Sequence, residues 1–109
     1  MANTFKLKTK ANVGVTTVGI YTAPAATTTV VIGITLANTS GSGVNVGVGI
    51  TRAGTTEDVK LLKNAPIPQG SSLEFMGGNK VVLEATDTVT VVSDTNNSVD
   101  ASLTIMEIT

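Results

Sequence analysis

Hydrophobic and polar residues alternate along most of this chain with a period of two. The alternation is clearest over 4–10, 28–37, 44–51 and 99–108. A period of two places successive side chains on opposite faces of a β-strand, whereas a helix repeats its apolar positions every three or four residues. No stretch of the sequence follows the helical period. The pattern therefore predicts β-strands throughout.

Clusters of Gly, Pro, Asn and Ser separate the alternating segments and recur about every 8–14 residues, which gives about eight strands. Short strands at this spacing are typical of a β-sandwich or a small barrel. We predict an all-β protein, a single antiparallel β-sandwich of about eight strands with jelly-roll-like topology. The domain should occupy 1–109 and begin with an extended N-terminal strand over 3–11.

The two strongest segments lead to specific expectations. The even-numbered apolar residues of 28–37 should face the core, and this strand should form a hairpin with 44–51 through a loop of roughly six residues. In the second strand, Gly47 and Gly49 leave one face bare. That bareness predicts the close approach of another backbone or of a large side chain.

Breaks in the pattern predict where strands end. Asn12 and Gly14 should end the first strand. Pro66 and Pro68 donate no backbone hydrogen bond, so 64–70 cannot form a central strand. Turn-forming residues predict chain reversals at 52–56 and 77–79 and a bulge or corner at 85–86.

Composition agrees with the pattern. The chain has 19 Thr, 15 Val and 7 Ile, so β-branched residues make up 41 of its 109 positions. Their stiff side chains suit a pleated sheet and disfavour a helix. The composition therefore supports the all-β prediction independently of the periodicity.

Charge is scarce for so small a domain. Charged residues are 14% of the chain, and the net charge is −1, against about 25% charged residues in an ordinary soluble domain. The mean hydropathy is +0.31. The shortage falls on the outer faces of 28–37, 44–51 and 99–108, where Gly, Ala, Thr, Met and Ile replace charge. We expect other copies of the chain, or another protein, to cover part of this surface.

Missing residue types exclude several functions. The chain has no His, Cys or Trp, which removes the usual zinc ligands, thiol nucleophiles and His-based triads. Seven basic residues and three aromatic residues are too few for a nucleic-acid surface. The first ten residues lack the apolar core of a signal peptide, and no apolar run approaches the ~20 residues of a membrane span. We expect no enzyme activity, no cofactor or metal, and no nucleic-acid or membrane partner.

Two groups of polar residues admit both a functional and a structural interpretation. The segment 94–98 together with Asp100 offers oxygen ligands that could bind Ca²⁺, but it lacks the spacing of an EF-hand. Asn and Asp are common in turns for their own hydrogen bonding, and we favour that interpretation. Acidic residues elsewhere could form a catalytic pair, but most lie at turns or on outward faces, where carboxylates are normally solvated.

Apolar residues near the two ends of the chain are candidates for a subunit contact. The three lysines of 4–10 fall on one face of the first strand, with Phe5 and Leu7 on the other. A row of lysines protects an edge strand against unwanted pairing. Met106 and Ile108 fall on the outer face of the last strand, either as ordinary surface residues or as the centre of a contact. We take Phe5, Leu7, Met106 and Ile108 as the candidate subunit interface.

Three segments together resemble a known class of proteins. They read IYTAPAATTTVVI over 20–32, LKNAPIPQGSSLE over 62–74 and VVLEATDTVTV over 81–91. The chain resembles the small virion structural proteins of tailed bacteriophages, those of marine cyanobacterial phages in particular. Ala26 and Thr86 depart from the pattern, because related segments often carry Gly there.

The resemblance implies a non-enzymatic structural component of a tailed-phage virion, with a capsid decoration or cement protein as the first expectation. Alternatives are a neck, tail or fibre-base protein, or a receptor- or carbohydrate-binding β-sandwich that would use Tyr21 or Phe75 to stack on sugar rings. The implied partners are major capsid or tail subunits and further copies of the chain. The implied location is the virion, assembled in the host cytoplasm, and the absence of Cys fits a reducing compartment.

Overall fold

The computed structural model describes residues 3–53, 57–75 and 80–109. These residues form nine β-strands. The strands are β1 Asn3–Val13, β2 Val18–Thr22, β3 Thr28–Asn38, β4 Val44–Thr51, β5 Asp58–Ile67, β6 Ser72–Phe75, β7 Val81–Leu83, β8 Thr88–Ser93 and β9 Val99–Ile108.

The strands form two antiparallel sheets. Sheet A has the order β1-β9-β3-β6, with β7 also paired to β3, and sheet B has the order β2-β8-β4-β5. The pairs are nested, since β1 pairs with β9, β2 with β8, β3 with β6 and β7, and β4 with β5. A long hairpin that folds over itself in this way gives a jelly-roll-like sandwich. The predicted fold class is therefore confirmed.

The predicted number of strands holds once β6 and β7 are considered together. β6 pairs with 34–37 of β3, and β7 pairs with 29–31 of the same strand. The two short strands thus occupy one position in the sheet, which leaves eight positions in the sandwich. The chain then crosses at 84–87 from β7 in sheet A to β8 in sheet B, at the predicted corner.

The core lies between the inner faces of the two sheets. Sheet A contributes Leu36, Leu83, Leu103 and Ile105, and sheet B contributes a row of valines along β4 and β8. Burial of each large side chain contributes about 1.5–3 kcal/mol. The valines of β4 sit at alternate positions, as the sequence predicts.

The predicted hairpin between 28–37 and 44–51 is wrong. β3 lies in sheet A and β4 lies in sheet B, so the loop between them crosses from one sheet to the other. Both strands have one strongly apolar face, and placing them in opposite sheets buries both faces against each other. Asn38 holds the crossing, because its Nδ2 donates to Ser42 O at 2.8 Å and to Ile67 O at 2.9 Å.

The predicted inner face of β3 is right for one half of the strand and wrong for the other. Ile34 and Leu36 are buried, but Val31 is buried in place of Val30, which is only half-buried. The register against β9 shifts between Val31 and Gly33. Such a β-bulge inserts one residue and reverses which side chains face inward.

The first strand does not end at Asn12. β1 continues to Val13, which is buried, and the irregularity lies between Lys10 and Val13. Asn12 adopts a positive φ of 59° within it, a conformation that Asn tolerates better than most residues. The polar residue therefore marks a bulge rather than the end of the strand.

The backbone of the neighbouring strand covers the glycines of β4. Of the two predicted alternatives, a backbone or a large side chain, the structure shows the first. A Cβ atom on Gly49 would lie 2.8 Å from Val59 O, and one on Gly47 would lie 3.3 Å from Leu62 O. The irregular register of β5 against β4 brings these carbonyl groups over the outer face. This part of the uncharged surface is thus covered within the chain itself.

β5 lies at the edge of sheet B, and it contains Pro66. Its position agrees with the prediction that 64–70 is not a central strand. The turns predicted at 52–56 and 77–79 fall wholly or partly outside the described residues.

Candidate interaction face

The first strand places its apolar residues toward solvent and its lysines toward the sandwich. Lys6 and Lys8 pair with Ile105 and Leu103, which both point into the core. Directly paired residues share a face of the sheet, so the lysines lie on the inner side. Phe5 and Leu7 lie on the outer side, and they are 69% and 64% exposed.

A buried hydrogen-bond network anchors Lys6. Its Nζ lies 2.9 Å from Glu107 Oε1, and Tyr21 Oη donates to Glu107 Oε2 at 2.6 Å. Tyr21 Oη also lies 2.8 Å from Thr29 Oγ1. Glu107 occupies an inward position of β9 and is 7% exposed. Two side chains, Tyr21 and Lys6, thus satisfy a carboxylate placed inside the sandwich, which fixes the facing of β1.

The network shifts the ionisation of both acidic groups. Burial, together with the hydrogen bond to Glu107, raises the pKa of Tyr21 to about 12. Hydrogen bonds from Tyr21 and Lys6 hold the pKa of Glu107 below its ordinary value of 4.5. At neutral pH the carboxylate is therefore charged and the phenol is protonated, as the hydrogen bonds require.

Apolar side chains form a continuous row across the outer face of sheet A. Phe5 pairs with Met106, Met106 pairs with Val30, and Val30 pairs with Val82, so the row crosses β1, β9, β3 and β7. Strands about 4.8 Å apart make this row about 14 Å long. We call the row, with Leu7 and Ile108 beside it on the same face, the outer ridge.

The other half of the same face is built from small side chains. It forms a shallow depression of about 290 Å³. Its outward residues, which we call the outer depression, are Thr9, Ala11, Thr35, Ala37, Asp100 and Ser102. Among the described residues of these strands, Glu74 and Asp100 are the charged residues at outward positions, and both lie toward this end.

The four candidate interface residues lie on one face. Phe5 and Met106 are directly paired, and Leu7 and Ile108 are each two residues further along the same strands. Val30 and Val82 belong to the same surface and were missed. The bulge in β3 concealed Val30, and β7 is too short, at three residues, for alternation to assign its faces. Val82 is 58% exposed.

Charged groups form a cluster at the corner between β7 and β8. Asp87 Oδ2 accepts a hydrogen bond from Glu84 N at 3.0 Å and lies 3.0 Å from Arg52 Nε. Arg52 also pairs with Glu84 at 2.5 Å. The Arg52 Nε–H is not well aligned toward Asp87, so this contact is an ion pair rather than a directed hydrogen bond. Asp87 is buried, and these partners satisfy it.

Other candidate chemistry has structural roles. Asp94 Oδ1 accepts a hydrogen bond from Asn45 N, and Asp100 Oδ1 accepts one from Asn12 N, so both acidic side chains support turns and bulges. Across 3–53, 57–75 and 80–109, no cluster of three acidic residues has the geometry to hold a metal ion. No helix within the same residues is long and apolar enough to span a membrane.

Tyr21 cannot stack on a sugar ring, as the carbohydrate-binding alternative requires. Its ring was expected on an outer face, but the residue is 7% exposed, and its hydroxyl is bonded inside the sandwich. The register of β2 shifts between Gly19 and Tyr21, which turns the ring inward. The side chain of Phe75, the other aromatic candidate, lies outside the description.

Comparisons with known proteins show a shared fold. No family model matches the chain, and no curated protein matches it. A structure of Bacillus endospore appendages, described as disulfide-linked pili, is 17% identical and superposes with a TM-score of 0.55, covering 97% of this chain and 84% of that one. A T13 viral particle of infectious bursal disease virus (IBDV) gives 14% identity and a TM-score of 0.58, covering 96% of this chain but 30% of that one. A chain of the Gx strain of the same virus gives 14% identity and a TM-score of 0.55, covering 95% of this chain and 32% of that one. The chain therefore has the β-sandwich fold found in these pilus and viral particle structures, and it spans less than a third of the viral chains.

Proposed function

We propose that this chain is a non-enzymatic structural component of a tailed-phage virion, a capsid decoration or cement protein. It acts by binding other virion subunits through the outer face of sheet A. The observation that carries this proposal is the facing of β1, which directs Phe5 and Leu7 outward while its lysines lie on the inner side.

Burial of the outer ridge against another protein would contribute substantially to the free energy of binding. A fully buried Leu, Val, Met or Phe side chain is stabilised by about 1.5–3 kcal/mol relative to an exposed one. Phe5, Leu7 and Val82 are each more than half exposed in the isolated chain. An apolar patch that crosses four strands is typical of a surface that another protein covers. The gain on covering it supports binding without catalysis.

The fold and the sequence support a structural role in different ways. Rigid antiparallel sandwiches occur in the viral particle and pilus structures that superpose on this chain. The resemblance of 20–32, 62–74 and 81–91 to small phage virion proteins supports the narrower class. Low charge allows many copies to sit close together without strong repulsion.

One apolar face favours a decoration protein over a ring or tube subunit. A subunit in a closed ring needs two different contact surfaces, one for each neighbour. The outer face of sheet B carries Thr88, Thr90, Val92 and Lys60 in its described part, together with the glycines that β5 covers, so it is more polar than the outer face of sheet A. A molecule with one apolar face and one polar face is suited to lie on a particle surface.

Particle incorporation tests this proposal. Purified virions of the phage that encodes this chain should contain it in many copies, measured by quantitative mass spectrometry. Virions grown with Phe5→Asp should lose most of the protein. Virions grown with Val15→Asp, a change at an exposed apolar residue between β1 and β2, should retain it. Absence of the wild-type chain from virions would refute the proposal.

A further inference from the structure

We propose that a second copy of this chain covers the outer face of sheet A, with the outer ridge of each copy packed into the outer depression of the other. This inference rests on the proposed function, since it names the first partner of the same face. It adds the partner, the direction of packing and the residues that meet.

The two halves of the face are complementary in shape. The outer ridge projects large side chains at one end, and the outer depression of about 290 Å³ lies at the other end of the same strands. A two-fold axis in the plane of the contact, perpendicular to the strands, places each ridge over the other copy's depression. Such an isologous contact closes on itself and forms a dimer.

The register places the axis near the middle of β9. Thr104 pairs with both Leu7 and Gly33, so these residues lie at the centre of the face. Rotation about this point brings Met106 of one copy over Ser102 of the other, and Phe5 over Thr9. A large side chain meets a small one at each of these positions.

The available area is close to that of a stable dimer. Four strands about 4.8 Å apart and about 33 Å long cover roughly 600 Å² in projection. This area lies at the lower end of the roughly 600–1,000 Å² per partner of a standard interface. The same rotation brings Ile108 over Asp100 and Val82 over Glu74, so both carboxylates lie at the rim of the contact and neither lies at its centre.

Packing by faces is favoured over pairing by edges. β1 is the free edge of sheet A, and a second β1 could in principle pair with it. The lysines at 6, 8 and 10 share one face of that edge, and edge-to-edge pairing would bring two such rows together. Like charges oppose this arrangement, whereas face-to-face packing keeps the two rows apart.

The solution mass and its dependence on Phe5 test the inference. Sedimentation equilibrium of the full chain should show a concentration-dependent dimer of 22 kDa, twice the 11.0 kDa of one chain. Phe5→Asp should raise the dimer dissociation constant at least about tenfold, equivalent to about 1.4 kcal/mol. Val15→Asp, the same kind of change at an exposed apolar residue between β1 and β2, should leave it unchanged.

Cross-linking tests the direction of packing. Because the chain has no native Cys, a maleimide reacts only with the Cys that is introduced. A short bis-maleimide should link two copies of Thr104→Cys, because residue 104 lies near the axis. It should not link two copies of Thr28→Cys. Thr28 lies level with Ile108, four residues from the axis, so the two copies lie about 26 Å apart at about 3.3 Å per residue. Equal linking of both variants would overturn the antiparallel packing.

The outcomes separate this inference from the proposed function. A chain that stays at 11.0 kDa at every concentration, or a dimer that Phe5→Asp does not weaken, overturns the inference. Incorporation into virions that still depends on Phe5 would then leave the proposed function intact, with a different subunit on the outer face.

Discussion

Tyr21 Oη donates a 2.6 Å hydrogen bond to Glu107 Oε2, and this bond joins the two sheets of the sandwich. Tyr21 belongs to β2 in sheet B, and Glu107 belongs to β9 in sheet A. The second carboxylate oxygen lies 2.9 Å from Lys6 Nζ on β1. One buried carboxylate therefore fixes both the alignment of the sheets and the facing of the N-terminal strand.

Removal of the phenol hydroxyl should destabilise the fold. Tyr21→Phe removes the hydroxyl that bonds Glu107 Oε2 and Thr29 Oγ1, which costs about 1–3 kcal/mol. Urea denaturation should show this loss in the free energy of unfolding. Thr22→Val, which removes an exposed hydroxyl bonded to Thr88, serves as the control and should cost less than about 0.5 kcal/mol. Equal costs for the two variants would contradict the role assigned to the network.

The alkaline titration of Tyr21 should be displaced upward. The folded pKa is about 12 against an ordinary 10.0, so the protonated phenol is the form that stabilises the fold. This stability is fully present below pH 10 and is lost as the pH rises toward 12. The chain has one Tyr and no Trp, so tyrosinate absorbance reports this group alone. A midpoint near 10 in the folded protein would contradict the buried network.

At acid pH, stability should depend on pH in the opposite sense and fall as the pH falls. Hydrogen bonds from Tyr21 and Lys6 lower the pKa of Glu107. A group with a lowered folded pKa stabilises the protein above its unfolded pKa, and this contribution is lost as the pH falls through the folded value. Glu107→Gln should therefore lower stability at neutral pH and flatten its decline below about pH 4.5.

Asp87 also contributes to the acid limb, which is the loss of stability as the pH falls. Burial opposes its ionisation, but hydrogen bonds from the backbone of Glu84 and Ala53 and the contact with Arg52 outweigh burial and lower its pKa. The acid limb of Glu107→Gln should therefore be flattened but not abolished. Thr22→Val, which changes no ionisable group, is the control and should leave the limb as in the wild type. An unchanged limb in Glu107→Gln would refute the assignment.

Gly49 of β4, which β5 covers, should not tolerate a side chain. In Gly49→Ala the new Cβ would lie 2.8 Å from Val59 O, so β5 must shift. We expect a loss of about 1–3 kcal/mol in thermal or urea unfolding, as for other overpacked sites. Gly33→Ala meets nothing within 4 Å and should stay within about 0.5 kcal/mol of the wild type. Similar effects at both sites would show that β5 does not lie over Gly49.

The turn between β7 and β8 should be improved by glycine. Thr86 has a φ of 67°, where a β-branched residue is strained by about 1–2 kcal/mol. Glycine removes this strain but loses about 0.5–1 kcal/mol in backbone entropy. Thr86→Gly should therefore raise stability by about 0.5–1 kcal/mol, whereas Ala85→Gly, without a positive φ to relieve, should lower it. A lower melting temperature for Thr86→Gly would contradict the strain.

Alternation was sufficient to predict the strands but not their partners. The valines of β4 and the inward residues of β9 follow the period of two without interruption, and both strands were assigned correctly. The hairpin between β3 and β4 was wrong because periodicity identifies a buried face but not the sheet that buries it. The side chain of Asn38, which holds the crossing, gave no distinctive signal in a segment rich in turn-forming residues.

Register shifts limited the prediction of faces. One additional residue near Ile32 exchanges Val30 for Val31 at the core, and no residue type in that run marks the change. Alternation placed Met106 and Ile108 on the outer face of β9, where the structure has them. It separated Phe5 and Leu7 from the lysines of β1 but favoured the lysine side as the one in water, because nothing in the sequence shows that Glu107 draws Lys6 inward. The inward position of Glu107 could have been inferred, because its odd-numbered position is shared with the inward residues of β9.

The most direct test of the central claim is a reconstruction of the intact particle at side-chain resolution. We predict that Phe5 and Met106 are buried against a neighbouring subunit and that the outer face of sheet B faces solvent. A particle in which the outer ridge lies open to solvent, with sheet B in contact with its neighbours, would contradict the account.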